Sequence, residues 1–185
     1  MFCSFGWGPS RDQSHPNIIL PILKVPEPRQ KDHIRVLTWN IQMLPKCVSG
    51  ETYPCKFWEQ RLADMFSNGN LDQFDILLLQ ECFGGMPGCV KQLIFSYAQR
   101  VGFIYIAAAS EPQFWHSFNV CGGAAVLSRY PITKKDELIF RNSVYSDSES
   151  SLGVVYAEIE IDLQSISLGA TTGKKSKIHL FTTHL

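Results

Sequence analysis

Apolar positions along this chain follow two periods, and the order in which the periods alternate predicts the fold. IRVLTWNIQML (34–44) has a β-branched and aromatic bias that predicts a strand. KFWEQRLADMFSN (56–68) then spaces Trp58, Leu62, Met65 and Phe66 as the apolar stripe of an amphipathic helix. FDILLLQE (74–81) is a short continuous apolar run, as expected for a strand covered on both faces. MPGCVKQLIFSYAQRVG (86–102) sets Val90, Leu93, Ile94, Tyr97, Ala98 and Val101 on one helical stripe, with Pro87 near its start and Gly102 at its stop.

Beyond this second helix the pattern turns strand-rich. FIYIAAA (103–109), GGAAVLSRYPI (122–132), DELIFRN (136–142), GVVYAEIEI (153–161) and KIHLFTTHL (177–185) are candidate strands separated by polar turns. In the fourth of these, Val155, Ala157, Ile159 and Ile161 alternate with Tyr156, Glu158 and Glu160, which predicts one buried and one polar face. An order of β-α-β-α followed by strands predicts an α/β layered domain. Residues 1–31 hold five prolines without periodicity and read as an irregular arm, leaving 32–185 as the domain.

Composition changes this picture little. The chain has 185 residues, 45% hydrophobic and 18% charged, which suits one globular domain. Seventeen basic and seventeen acidic residues cancel, so net charge argues against tight, nonspecific nucleic-acid binding. Cys3, Cys47, Cys55, Cys82, Cys89 and Cys121 form no CxxC pair and no zinc spacing, and read mostly as buried thiols of a reducing compartment. The N-terminus lacks the pattern of a secretory signal, and IILPIL (18–23) is too short to span a membrane. A cytoplasmic or peripheral membrane location is expected.

Two residues have positions that suggest chemistry. Asn40 and Glu81 lie near the C-terminal ends of the two most apolar early strands, where α/β sheets gather their ligands. A carboxylate and an amide oxygen are hard donors suited to Mg²⁺, provided the strands are neighbours. The simpler alternatives are a strand-end cap for Asn40 and a solvated carboxylate for Glu81.

WNIQMLP (39–45), DILLLQECF (75–83), GGAAVLSRYPI (122–132), SDSESSLGVVYAEI (146–159) and TTHL (182–185) follow one another in the order of known motifs. Together they resemble the endonuclease/exonuclease/phosphatase superfamily, and the Asn-x-x-Met-Leu-Pro form and the Gly-Val-Val-Tyr strand are most similar to its neutral and bacterial sphingomyelinases. The resemblance implies a layered α-β-β-α sandwich of the DNase I-like type. It implies Mg²⁺-dependent hydrolysis of sphingomyelin, or a related phospholipid at a membrane surface, to ceramide and phosphocholine. By the same resemblance Glu81 is the principal Mg²⁺ ligand and Asn40 a second metal-site residue. The resemblance likewise implies that His184 is the catalytic histidine beside the scissile phosphate.

There are departures from the pattern. Leu152 stands where the family commonly has a lysine before Gly153, and the Gly-Asp-x-Asn and Ser-Asp-His motifs, which include the general base, are absent from the 185 residues. The expectation is therefore a fold cut after its first half, with apolar sheet surface left bare and little activity. The rivals are a nuclease or inositol-phosphate phosphatase of the same fold, or a non-catalytic chain that binds lipid or a partner.

Three other features have plain readings. Phe114, Trp115 and Phe118 are expected to pack against a neighbouring layer rather than meet lipid, and His116 to be structural or exposed. Arg61 is expected on a solvated helix face rather than paired across to the sheet. GKKSK (173–177) is expected as a basic, solvated hairpin tip.

Overall fold

The computed structural model describes residues 33–44, 58–67, 69–85, 90–112, 120–141, 150–162 and 175–184. The expected arm at 1–31, the aromatic cluster at 113–119 and the cysteines at 3, 47, 55 and 89 lie outside them.

The two early strands are neighbours. β1 (Val36–Met43) pairs in parallel with β2 (Ile76–Cys82), and α1 (Trp58–Ser67) lies on the crossover between them. α2 (Lys91–Arg100) follows, and Gly102 ends it in a left-handed conformation, φ 95°. β3 (Tyr105–Ala108) and β5 (Ala125–Ser128) join antiparallel, giving a sheet of order β1-β2-β5-β3. A second, antiparallel sheet has the order β6-β8-β9, from Ile132–Ile139, Gly153–Asp162 and Lys175–Thr183. Two short strands, β4 (Val120–Cys121) and β7 (Ser150–Ser151), form a small parallel ladder that the sequence pattern does not announce.

Alternation along the strands sorts the core into two slabs. Leu77 and Leu79 face the helices and meet Leu62, Phe66, Ile94 and Phe103. Ile76 and Val126 face the other way and meet Val155, Ala157, Ile159 and Ile161 of β8. The layers therefore run helices, sheet, sheet, as the α/β layered reading expects. The continuous run in β2 exists because both of its faces are covered. The alternating run in β8 covers one.

Part of the apolar surface stays open. Trp39 on the edge strand β1 is 40% exposed, and Leu138 and Phe181 on the outer face of the second sheet are each 64% exposed. The basic segment differs from expectation: Lys175 and Lys177 belong to β9, and their ammonium groups meet Glu160 at 2.6 Å and Glu158 at 2.8 Å across the strand pair. The hydrogen bonds from Lys177 and Thr133 hold the Glu158 carboxyl below its ordinary value.

Candidate metal and phosphate site

Pairing β1 with β2 sets Asn40 directly opposite Gln80, so simple alternation would turn Glu81 toward the helices, away from Asn40. The backbone breaks that alternation. Glu81 adopts φ 57°, a left-handed conformation uncommon for a residue with a Cβ. Its carboxylate turns to Asn40, whose Nδ2 donates to Glu81 Oε1 at 2.7 Å, while Cys82 rejoins the helix-side core. Such a conformation costs about 1–3 kcal/mol and persists only where neighbours enforce it. Here Cys82 N donates to Gly123 O at 2.8 Å. Gly123 itself has φ 70°, and a Cβ there would stand 3.1 Å from Glu81 Cα.

The end of β1 is distorted in a matching way. Its register shifts between Asn40 and Met43, Gln42 has φ 51°, and Gln42 N donates to Asn40 Oδ1 at 2.9 Å. Arg61 of α1 reaches across to this bend, donating to Gln42 O at 3.0 Å and to Ile41 O. The solvated role expected for Arg61 is therefore corrected. Two orphaned carbonyls at a strand break draw the guanidinium fork, whose paired donors fit them. Arg61→Ala is expected to cost about 1.5–3 kcal/mol, the range for hydrogen bonds to charged groups, with Arg61→Lys recovering only part. Denaturant midpoints measure this, and an unchanged midpoint for Arg61→Ala would refute the role.

His184 reaches the same place from the second sheet. β9 alternates Ile178, Leu180 and Thr182 toward the first sheet, so position 184 continues that face. Thr183 points outward and anchors the strand end by donating to Gly153 O at 2.9 Å. His184 Nε2 lies 3.5 Å from Glu81 Oε1 and 3.4 Å from Asn40 Nδ2. Three residues spread over 144 positions of sequence thus meet at one point.

Each member leaves a different capacity. Glu81 Oε2 and His184 Nδ1 are buried and have no hydrogen-bond partner. A buried carboxylate oxygen without a donor calls for a ligand, and a hard divalent cation answers it. Asn40 presents its amide nitrogen to Glu81, with its oxygen engaged by Gln42. As seated, it orients the carboxylate. Among the described residues no group of three or more His, Cys, Asp or Glu side chains has metal-holding geometry, so any cation would rest on few protein donors.

Behind Glu81 the chain is fastened by a network that sequence reading missed. Lys91, 4% exposed, donates to Ala109 O, pairs with Glu111 at 2.9 Å and lies 3.5 Å from Cys121 Sγ, to which Gly84 N also donates at 3.0 Å. Burial acts to lower the Lys91 pKa, but Cys121 and Glu111 outweigh it and the net displacement is upward. The signal in sequence was a lysine opening an otherwise apolar helix face. Cys82 and Cys121 are buried and not disulfide-bonded.

No protein-family model matches the chain. It is 37% identical over 120 residues to a sphingomyelinase of Dictyostelium discoideum, an alignment covering 64% of this chain and 25% of that protein. It is 26% identical over 139 residues to sphingomyelinase C of Bacillus cereus, covering 71% and 40% respectively. The chain thus spans about a quarter to two fifths of the length of these relatives. Among solved structures it is similar to a beta toxin of Staphylococcus aureus with bound magnesium ions, with a TM-score of 0.57 and 20% identity over 80% of this chain and 48% of the toxin. The chain is thus similar to sphingomyelinases over part of their length, and its fold is the layered DNase I-like fold of the solved structures it matches.

Proposed function

We propose that the chain carries the cation-holding part of a Mg²⁺-dependent phosphodiesterase site that hydrolyses sphingomyelin to ceramide and phosphocholine. The observation that carries this is the buried, unpartnered Oε2 of Glu81, beside a histidine that arrives from the opposite sheet. Sphingomyelinase relatives and a magnesium-bearing fold neighbour support the choice of substrate and ion.

Glu81 would hold the ion and Asn40 would keep its carboxylate turned toward it. A bound Mg²⁺ would supply Lewis-acid polarisation of the phosphoryl group and charge stabilisation at the leaving oxygen. His184 Nε2, in its protonated form, would donate a hydrogen bond to a phosphoryl oxygen as negative charge grows there. The 185 residues contain no Gly-Asp-x-Asn or Ser-Asp-His segment, so no candidate for the base that activates water is evident in them. Loss of a general base commonly costs roughly 10²–10⁴-fold. Turnover by these residues alone is accordingly expected to be that far below the turnover of a protein that supplies one. The substrate would be met at a membrane surface, and among the described residues no helix is long and apolar enough to cross a bilayer.

The test measures phosphocholine release from sphingomyelin vesicles, with plasmid DNA and an inositol phosphate as competing substrates, with and without Mg²⁺. Phosphocholine release that requires Mg²⁺ is expected. DNA cleavage without it would move the chain to the nuclease reading.

A further inference from the structure

Gln80 is a polar residue in an apolar strand, and its side chain lies between the sheets. Its Nε2 donates to Thr182 Oγ1 at 3.0 Å, to Thr38 Oγ1 at 3.2 Å and to Leu78 O at 3.3 Å. One amide thus joins β1, β2 and β9. Thr182 is 3% exposed, so the bond to it is shielded from water.

We propose that Gln80 is the positioning residue of the site, setting the separation of His184 from Glu81 by tying the two sheets together directly beneath them. This rests on the proposed cation site, and it concerns how that site is aligned.

Most of the inter-sheet core among the described residues is apolar, made by Ile76, Val126, Val155, Ile159 and their neighbours. Apolar burial holds two sheets together but has no preferred direction, so it resists separation better than sliding. A hydrogen bond weakens steeply with distance and angle, and so it fixes the offset. Gln80 is one residue from Glu81, and Thr182 is two residues from His184. No flexible joint intervenes between the brace and the 3.5 Å contact of His184 with Glu81. Leucine would fill the same space without the bond. Glutamate would set a second negative charge next to Glu81 and against Leu78 O. Only an amide fills the gap, stays neutral and donates to both threonines.

Isotope-labelled full chain with Mn²⁺ as the probe tests this, comparing wild type, Gln80→Leu, Thr182→Val and the double variant. Wild type is expected to bind Mn²⁺ with strong paramagnetic broadening of the His184 ring. Gln80→Leu and Thr182→Val are each expected to keep the Mn²⁺ affinity while His184 broadening weakens severalfold. The double variant should be no worse than either single, because both remove one shared bond. In the sphingomyelin assay the same variants should lower kcat by roughly 10–100-fold and leave KM in place, as misplacement of a reacting group does. Unchanged His184 broadening in a folded Gln80→Leu or Thr182→Val chain overturns the brace. Absence of Mn²⁺ effects in wild type overturns the cation reading instead. In that event the nuclear Overhauser contact between the His184 ring and the Asn40 amide, measured without any ion, decides the brace. It should disappear in both single variants, and its persistence would overturn the proposal. Thr182→Val is close to isosteric and carries the test if Gln80→Leu does not fold.

Discussion

Glu81→Gln is expected to abolish Mg²⁺ binding and to lower phosphocholine release from sphingomyelin by at least roughly 10²–10³-fold, the range seen when one preorganised electrostatic contact to a transition state is removed. The substitution keeps the shape and the bond from Asn40 while deleting the charge. Loss of function should not bring loss of stability. Glu81 combines a left-handed backbone with a buried oxygen that lacks a donor, and both are costs that the folded chain carries at this point. A neutral amide lowers the second, because an unpartnered amide costs less to bury than an unpartnered charge. The denaturation midpoint of Glu81→Gln should therefore equal or exceed that of wild type, a stability–activity trade-off confined to one side chain. Isothermal titration with Mg²⁺ and thermal unfolding read the two arms. Mg²⁺ affinity retained in the variant would sink the assignment of Glu81 as the cation ligand.

The site was only partly legible in the sequence, and the division has a physical basis. Asn40 and Glu81 could be singled out because strand ends are visible as the points where apolar runs stop. That their strands are neighbours, as required, follows from a crossover that α1 makes. What no periodicity reveals is the left-handed turn at Glu81. By alternation alone the two side chains would have faced opposite sides of the sheet. Only the opposing Gly123, 42 residues later in sequence, makes the turn affordable in space. Arg61 was expected to be solvated and Gln80 was not singled out, for a related reason: each serves an element distant in sequence. A faint signal did exist for Gln80, a polar residue in the middle of LLLQE, where burial on both faces demands a partner.

The fold was more legible because it rests on repeating local patterns. Both helices and the strands β1, β2, β3, β5 and β8 occupy stretches that the periods predict, with ends moved by a few residues, whereas β6 begins at Ile132, four residues before the strand predicted at 136–142, and β9 begins at Lys175, two before the predicted 177. Val155, Ala157, Ile159 and Ile161 are buried as their alternation requires. The ladder of β4 with β7 was not legible, since two residues cannot establish a period. The lysines of β9 were misjudged for another reason. A basic cluster beside Gly and Ser looks like a turn until the glutamates of β8 come opposite it.

The second large effect is expected at Ile159, which has no exposed surface and sits in the slab between the sheets. Ile159→Ala should destabilise the chain by about 2–5 kcal/mol. The upper half of that range is the better expectation, for a reason of geometry. The slab it belongs to is rich in alanine, with Ala107, Ala109, Ala124 and Ala157, side chains too short to move into a space left behind. The sheets cannot collapse on it either, because Ile76, Val126 and Val155 prop them apart at about the 10 Å spacing of stacked sheets. Total stability of small domains is typically about 5–15 kcal/mol, so this one change would remove a large share. Urea unfolding should show a lower midpoint with an unchanged slope, as for a folded state weakened by a cavity. A loss below about 1 kcal/mol would mean that the two sheets are not held together by this slab. The alignment of His184 with Glu81 would then need another origin.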